Sequence, residues 1–240
     1  MEGRTSTRPF AILVLAVLAM AAGCSTFIGT TATSFLKKAR ESDDPNIRYL
    51  AYGKLADLHC YDDDKQKEEA AALLISALEP GREPTASRAM ICRTLGELRR
   101  PEAHAPLLKA AEDQDATVRA EALRALGKVG TTEDSAMLAR IMTIDRQAEC
   151  RIAAIDGLGE IKSGDPKVQA LLVENMDHSD PAIRLASLRA LRKLSRRDLG
   201  VEPGPWKEYV EQLAQAQKPS TPATVDGETA QASGNAPSRR

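Results

Sequence analysis

One arginine recurs along this chain in a fixed context, at Arg48, Arg88, Arg119, Arg151 and Arg184, with spacings of 40, 31, 32 and 33 residues. Seven residues after each comes Leu55, Leu95, Leu126, Leu158 or Leu191. The next position holds Ala56, Gly96, Gly127, Gly159 or Arg192, and the tenth holds Leu58, Leu98, Val129, Ile161 or Leu194. A period of about 30–40 residues with helical patterning means stacked units that bury their apolar faces only against their neighbours.

The third copy shows the unit most clearly. Asp115 is a natural N-cap, because its carboxylate can accept from the free amides of a first helical turn. Val118, Ala122, Leu126 and Val129 then share one face, widened by Leu123. Gly130 reads as a left-handed C-cap. Each copy is followed by a second helical stretch: 65–78, 102–112, 133–142, 166–176 and 205–216. The apolar pairs Leu73/Leu74, Leu107/Leu108, Met137/Leu138 and Leu171/Leu172 mark the first four, and Trp206, Tyr209 and Leu213 the last.

Two helices per unit, the Asp44-Pro45 and Asp180-Pro181 starts, and the Val118-Arg119…Ala125-Leu126-Gly127 core resemble HEAT repeats. The resemblance spans 42–217. It implies an all-α, right-handed α-solenoid of about five HEAT-like helix pairs, with surfaces that bind proteins. The small residue after the leucine admits close helix approach. Arg192 breaks that rule in the last copy, as expected of a terminal cap with no further repeat to receive.

The beginning of the chain reads as a targeting segment. Arg4 and Arg8 precede an apolar run from Phe10 to Ala22, shorter than the about 20 residues of a membrane span. The run ends Ala21-Ala22-Gly23-Cys24, which resembles the bacterial lipoprotein signal, with Ala21 where leucine is commoner. The resemblance implies cleavage before Cys24 and acylation of that cysteine with chains such as palmitate. Ser25 in the following position implies the periplasmic face of the outer membrane. An ordinary secretory signal or an uncleaved anchor is the alternative. The expected organisation is a signal peptide over 1–23, lipid attachment and tether over 24–41, repeats over 42–217, and a disordered tail over 218–240. That tail is built from Pro, Ser, Thr, Ala, Gly and Gln and has too little apolar surface to offset its ordering entropy.

Composition narrows the chemistry. A net charge of −1 supplies no field that draws the chain to nucleic acid, and 3% aromatic residues leave few stacking platforms. Cys92 and Cys150 fall on helix positions filled elsewhere by Leu123 and Val118, so they read as buried small hydrophobes. His59, His104 and His178 show no metal-ligand spacing, and no metal or cofactor is expected. No Gly-x-Ser-x-Gly elbow or phosphate loop is present. The anchor arginines read as scaffold rather than ligand ladder, paired with carboxylates such as Asp44, Asp115 and Asp180 one turn earlier. Arg189, Arg192, Lys193, Arg196 and Arg197 form either the solvated face of a capping helix or a contact for an acidic partner or anionic lipid. Trp206 reads as a plug sealing the last helix pair.

The expected function is therefore a membrane-tethered, non-catalytic scaffold that binds an envelope protein. The alternatives are a HEAT-like enzyme such as a lyase, or a purely structural envelope protein. Positions just after each second-helix leucine pair are expected to line the concave side and touch the partner: Ile75, Lys109, Arg140, Val173 and Glu174. The anchoring expectation is directly testable, since each buried CH₂ of an acyl chain adds about 0.8 kcal/mol of membrane affinity. Mass spectrometry of the mature N-terminus should find an acylated Cys24, and Cys24→Ser should release the protein from membranes. An unmodified Cys24 in the native protein contradicts it.

Overall fold

The computed structural model describes residues 29–217. Cys24, the signal segment and the tail beyond Gln217 lie outside them. Among the described residues there are eleven α-helices, four short 3-10 turns and no strand. The helices are α1 (Ala32–Glu41), α2 (Pro45–Lys54), α3 (Asp64–Ala77), α4 (Thr85–Leu98), α5 (His104–Ala110) and α6 (Ala116–Val129). They continue with α7 (Ser135–Ile144), α8 (Ala148–Ile161), α9 (Pro166–Glu174), α10 (Pro181–Ser195) and α11 (Pro203–Ala216). The fold is an α-solenoid.

The anchor arginines all lie on even-numbered helices, which stack in a row from α4 through α6 and α8 to α10. We call these B helices and their partners A helices. The leucine seven residues after each anchor is fully buried in all five copies. Gly96, Gly127 and Gly159 account for the tightness of the row. A Cβ on Gly127 would sit 2.6 Å from Gly157 Cα, one on Gly96 2.9 Å from Ala125 Cα, and one on Gly159 3.1 Å from Ala190 Cα. The A row is looser: α5 and α7 leave between them a cleft lined by Leu108, Met137, Ile141 and Ile144. A row that packs closely beside a row that splays must curve toward the tight side, so the B helices face the inside of the curve.

The pairing differs from the sequence expectation by one helix. The first unit is α1–α2, not α2–α3, so the array begins at Ala32 inside the stretch expected to be a tether. Helix α1 has a capping box between Thr31 and Ser34, buries Phe35, Leu36 and Ala39, and is tied to α3 by Arg40–Glu69 at 2.7 Å. Five pairs run from α1 to α10, and α11 remains as a terminal cap. Lys207, early in α11, pairs with Asp177 at 3.7 Å, and Gln217 Nε2–H donates to the Gly164 carbonyl. Helix α11 thus runs antiparallel to α9, on which it packs, and parallel to α10. Trp206 is 0% exposed, and its indole N–H donates to the Gly200 carbonyl at 3.0 Å, which makes it the expected plug.

Two local expectations are corrected. Gly130 is extended (φ −72°), not left-handed; a Cβ there would meet Leu126 O at 2.5 Å and the Asp134 carboxylate at 2.6 Å. Left-handed caps fall instead on Arg99, Lys162 and Arg196. Leu58 is exposed because α2 ends at Lys54, leaving Leu58 in a 3-10 turn capped by Asp57.

The anchor arginines brace the loops between units. Arg48, Arg119, Arg151 and Arg184 each donate through Nη1 to the backbone carbonyl six residues earlier, at 2.8–2.9 Å. Asp44, Asp115 and Asp180 cap the B helices as expected, each accepting from an amide at 2.8 Å. They are not the partners of the arginines. Those partners lie one unit further on: Arg48 meets Glu83 at 2.7 Å, Arg119 meets Asp145 at 3.2 Å, and Arg88 meets Asp113. Burial opposes the charge of Asp145, but the Gln147 amide and the Arg119 guanidinium outweigh it and hold the carboxyl below its usual range.

Two predictions follow from this packing. Gly127→Ala should cost roughly 1–3 kcal/mol by overpacking, although alanine favours a helix over glycine by about 1 kcal/mol. Gly164→Ala, with nothing within 4 Å of the new Cβ, should be near neutral in the same chemical denaturation. Asp145→Asn should cost about 1–3 kcal/mol at pH 7, as expected for lost hydrogen bonds to a charged group. A depressed carboxyl stabilises the fold above its unfolded pKa and loses that effect as pH falls through the folded value. The gap between wild type and Asp145→Asn should therefore close below about pH 4. A pH-independent gap contradicts the rung.

Candidate interaction groove

The inner face of the stack carries a charged groove of about 600 Å³, lined by side chains of α4, α6, α8 and α10. Its residues repeat with the array. Five positions after the anchors stand Arg93, Arg124, Asp156 and Arg189; nine after stand Glu97, Lys128, Glu160 and Lys193. Side chains at these two positions lie about one turn apart on the same helix face.

The charges are largely spent on one another, and mostly between units. Lys128 meets Glu97 at 2.5 Å, Arg189 meets Asp156 at 3.1 Å, and Lys193 meets Glu160. Arg124 bridges Glu121 at 2.7 Å and Glu149 at 3.5 Å. Arg93 is exposed and makes no ion pair among the described residues. The result is an open, solvated strip of alternating sign with small residues, Ala125, Gly159 and Ala190, at its floor.

The residues expected to form the partner-binding row do not line this groove. They belong to A helices, on the outer side of the curve. Ile75 and Lys109 share one cleft between α3 and α5. Arg140 borders a different, more apolar cleft between α5 and α7. Glu174 is exposed, but Val173 is 2% exposed and belongs to the core, so it offers no surface to a partner. Equivalent A-helix positions are thus split between clefts and core. The missed groove was signalled in the sequence by the periodic charges five and nine residues after each anchor.

The remaining reactive side chains have structural surroundings. Cys92 is buried with its thiol pushed up to about 12, first by burial and then by Asp113 and Glu121. Burial and Asp57 likewise push Cys60 up to about 11. Cys150 is buried, and its Sγ–H donates to the Ala116 carbonyl. None of the three is a ready thiolate near neutral pH. His104 Nε2 lies 2.9 Å from Asp134, which also accepts from the Thr131 amide and ties α5 to the following turn. The neighbouring Ser135 hydroxyl is buried without a hydrogen-bond partner, so His104 does not activate it. Among the described residues no cluster of three potential metal ligands occurs, and no helix is long and apolar enough to cross a membrane.

Comparison with known proteins agrees with this architecture. A family model described as HEAT repeats matches residues 71–159. No curated protein matches the sequence. Among solved structures, the complex of CpcE and CpcF of phycocyanin lyase from Nostoc sp. PCC7120 contains a similar chain, with a TM-score of 0.57 at 21% identity. The match covers 70% of this chain and 66% of that one, just under two thirds of its length, and the likeness is one of fold. Two engineered proteins match at TM-scores of 0.48 and 0.47, both with 18% identity; they cover 69% and 79% of this chain and 79% and 55% of theirs. Repeating B helices, buried leucines, glycine contacts and the matched family model lead to one conclusion: this chain folds as an α-solenoid that is similar to HEAT repeats over residues 71–159.

Proposed function

We propose that the protein is a non-catalytic interaction scaffold of the bacterial cell envelope. In this reading it is held at the periplasmic face of the outer membrane by lipid on Cys24 and grips a protein partner along its inner groove. The observation that carries the reading is the groove itself, which places equivalent polar positions of four successive helices side by side. The lipid tether rests on the Ala21-Ala22-Gly23-Cys24 motif.

The groove suits a protein strip better than a small molecule. It is open, shallow and of mixed charge, whereas small-molecule sites are mostly apolar and enclose their ligands. Its ion pairs are solvated and individually weak, about 0–1 kcal/mol each, so a partner can exchange them for pairs of its own at little cost. Selectivity then comes from matching the order of signs along the strip, since like charges brought together are penalised.

The test is cross-linking in the native envelope, comparing two double reversals. Arg124→Glu with Arg189→Glu should abolish capture of the partner held by the wild-type groove while helicity and melting temperature stay close to wild type. Lys109→Glu with Arg140→Glu, on the outer side, should leave capture intact. The opposite pattern moves the binding face to the A helices. Turnover of an envelope substrate that depends on His104 or Cys60 rules out the non-catalytic reading.

A further inference from the structure

The arginine rungs stop before the stack does. In Arg48, Arg119, Arg151 and Arg184 the Nη1 bond to the carbonyl six residues back fixes the guanidinium in one pose. That pose turns the Nε and Nη2 edge toward the next unit. On Arg48 the edge holds Glu83, at 2.7 and 3.3 Å; on Arg119 it holds Asp145, at 3.2 and 3.3 Å. Arg151 departs from this because His178 stands where the preceding units have Asp113 and Asp145. The His178 ring accepts from the Asp180 amide, and Arg151 Nε is buried without a partner. Among the described residues no further unit follows Arg184, and no carboxylate fills its exposed edge.

The surroundings of Arg184 are also those of an uncovered junction. Leu185 follows it, at the position held by Ala89 and Ala120, both of which are buried. Leu185 is 54% exposed. Arg196, exposed at the left-handed end of α10, makes no ion pair among the described residues, and Arg197 lies over the Tyr209 ring at 5.3 Å. Arg192 occupies the position that is glycine in the three units before it and is engaged by Asp198 at 2.9 Å. Its bulk keeps another B helix from packing there.

We propose that this end of the stack is a docking site for an acidic segment of a partner protein. The segment places an Asp or Glu carboxylate on the Nε and Nη2 edge of Arg184, as Asp145 sits on Arg119, and an apolar side chain on Leu185. The shape of the fork selects the ligand: a held guanidinium matches a planar carboxylate with two parallel hydrogen bonds. The occupant is a loop or extended stretch rather than a packed helix, because Arg192 blocks close approach. The site is separate from the inner groove, so either can fail without the other.

The probe is a synthetic peptide with the sequence of residues 111–117, Ala-Glu-Asp-Gln-Asp-Ala-Thr, whose Asp113 fills the rung of Arg88 in this protein. It is titrated to millimolar concentration into the ¹⁵N-labelled full chain, followed by backbone amides and arginine Nε–H signals. Shifts should concentrate at residues 181–192 and include Arg184 Nε–H. Arg184→Gln should weaken the apparent affinity about tenfold or more, in line with loss of a charge-assisted pair. Arg184→Lys, which keeps the charge and loses the fork, should weaken it as well, and so should a peptide with Asn in place of Asp113. Arg124→Glu, in the groove, should change nothing. No response around Arg184, a response unaltered in both Arg184 variants, or engagement only by phosphatidylglycerol–phosphatidylcholine vesicles overturns the proposal.

Discussion

Everything in this stack depends on how closely the B helices approach one another. Where Gly127 faces Gly157 there is no room for a single methyl group. Interhelical distance sets how much dispersion contact and apolar burial each junction gains, and small residues at the crossing bring the backbones together. The outer row opens instead into clefts. The unequal spacing bends the stack toward the B side. It also brings charges five and nine residues after each anchor into range of their counterparts on the next helix. Curvature, groove and ion-pair strip are thus consequences of one packing choice.

The arginine rungs add direction to that packing. Each closed rung ties a B helix to the loop that precedes the next one, so adjacent units are joined by a part-buried pair as well as by apolar contact. Breaking a part-buried pair costs more than breaking a solvated one, because the partner left behind keeps its desolvation penalty. The groove pairs are more exposed than the rungs. Rungs therefore hold the structure, while the groove remains free to trade partners. The same logic makes the unfilled fork of Arg184 a place where binding energy is still to be gained.

Much of this was legible in the sequence, because repetition amplifies weak signals. The anchors, the buried leucines, the caps at Asp44, Asp115 and Asp180, the small residues after the leucines and the Trp206 plug all sit where the pattern puts them. What was not legible depends on neighbours that a one-dimensional pattern does not show. Pairing each arginine helix with the helix after it is as consistent with the spacing as pairing it with the one before. Only the burial of Phe35 and Leu36 against α2 and α3 decides. The concave side is not legible in the sequence because curvature comes from relative row spacing, not from any single helix. Val173 follows a leucine pair as the surface positions do, yet it is core because α11 packs over α9. Gly130 needs to be glycine for lack of space rather than for its backbone angles, which the sequence does not distinguish.

The central claim is that the B row is the spine of the molecule and the A row its looser outer layer. Amide hydrogen exchange of the full-length protein, resolved along the chain, tests it most directly, because slow exchange marks the segments that open only with the whole domain. The account predicts the slowest exchange in α6 and α8, with faster exchange in the seven-residue α5 and in the terminal helices α1 and α11. Exchange in α5 as slow as in α6, or a B row that exchanges no more slowly than the A row, would contradict it.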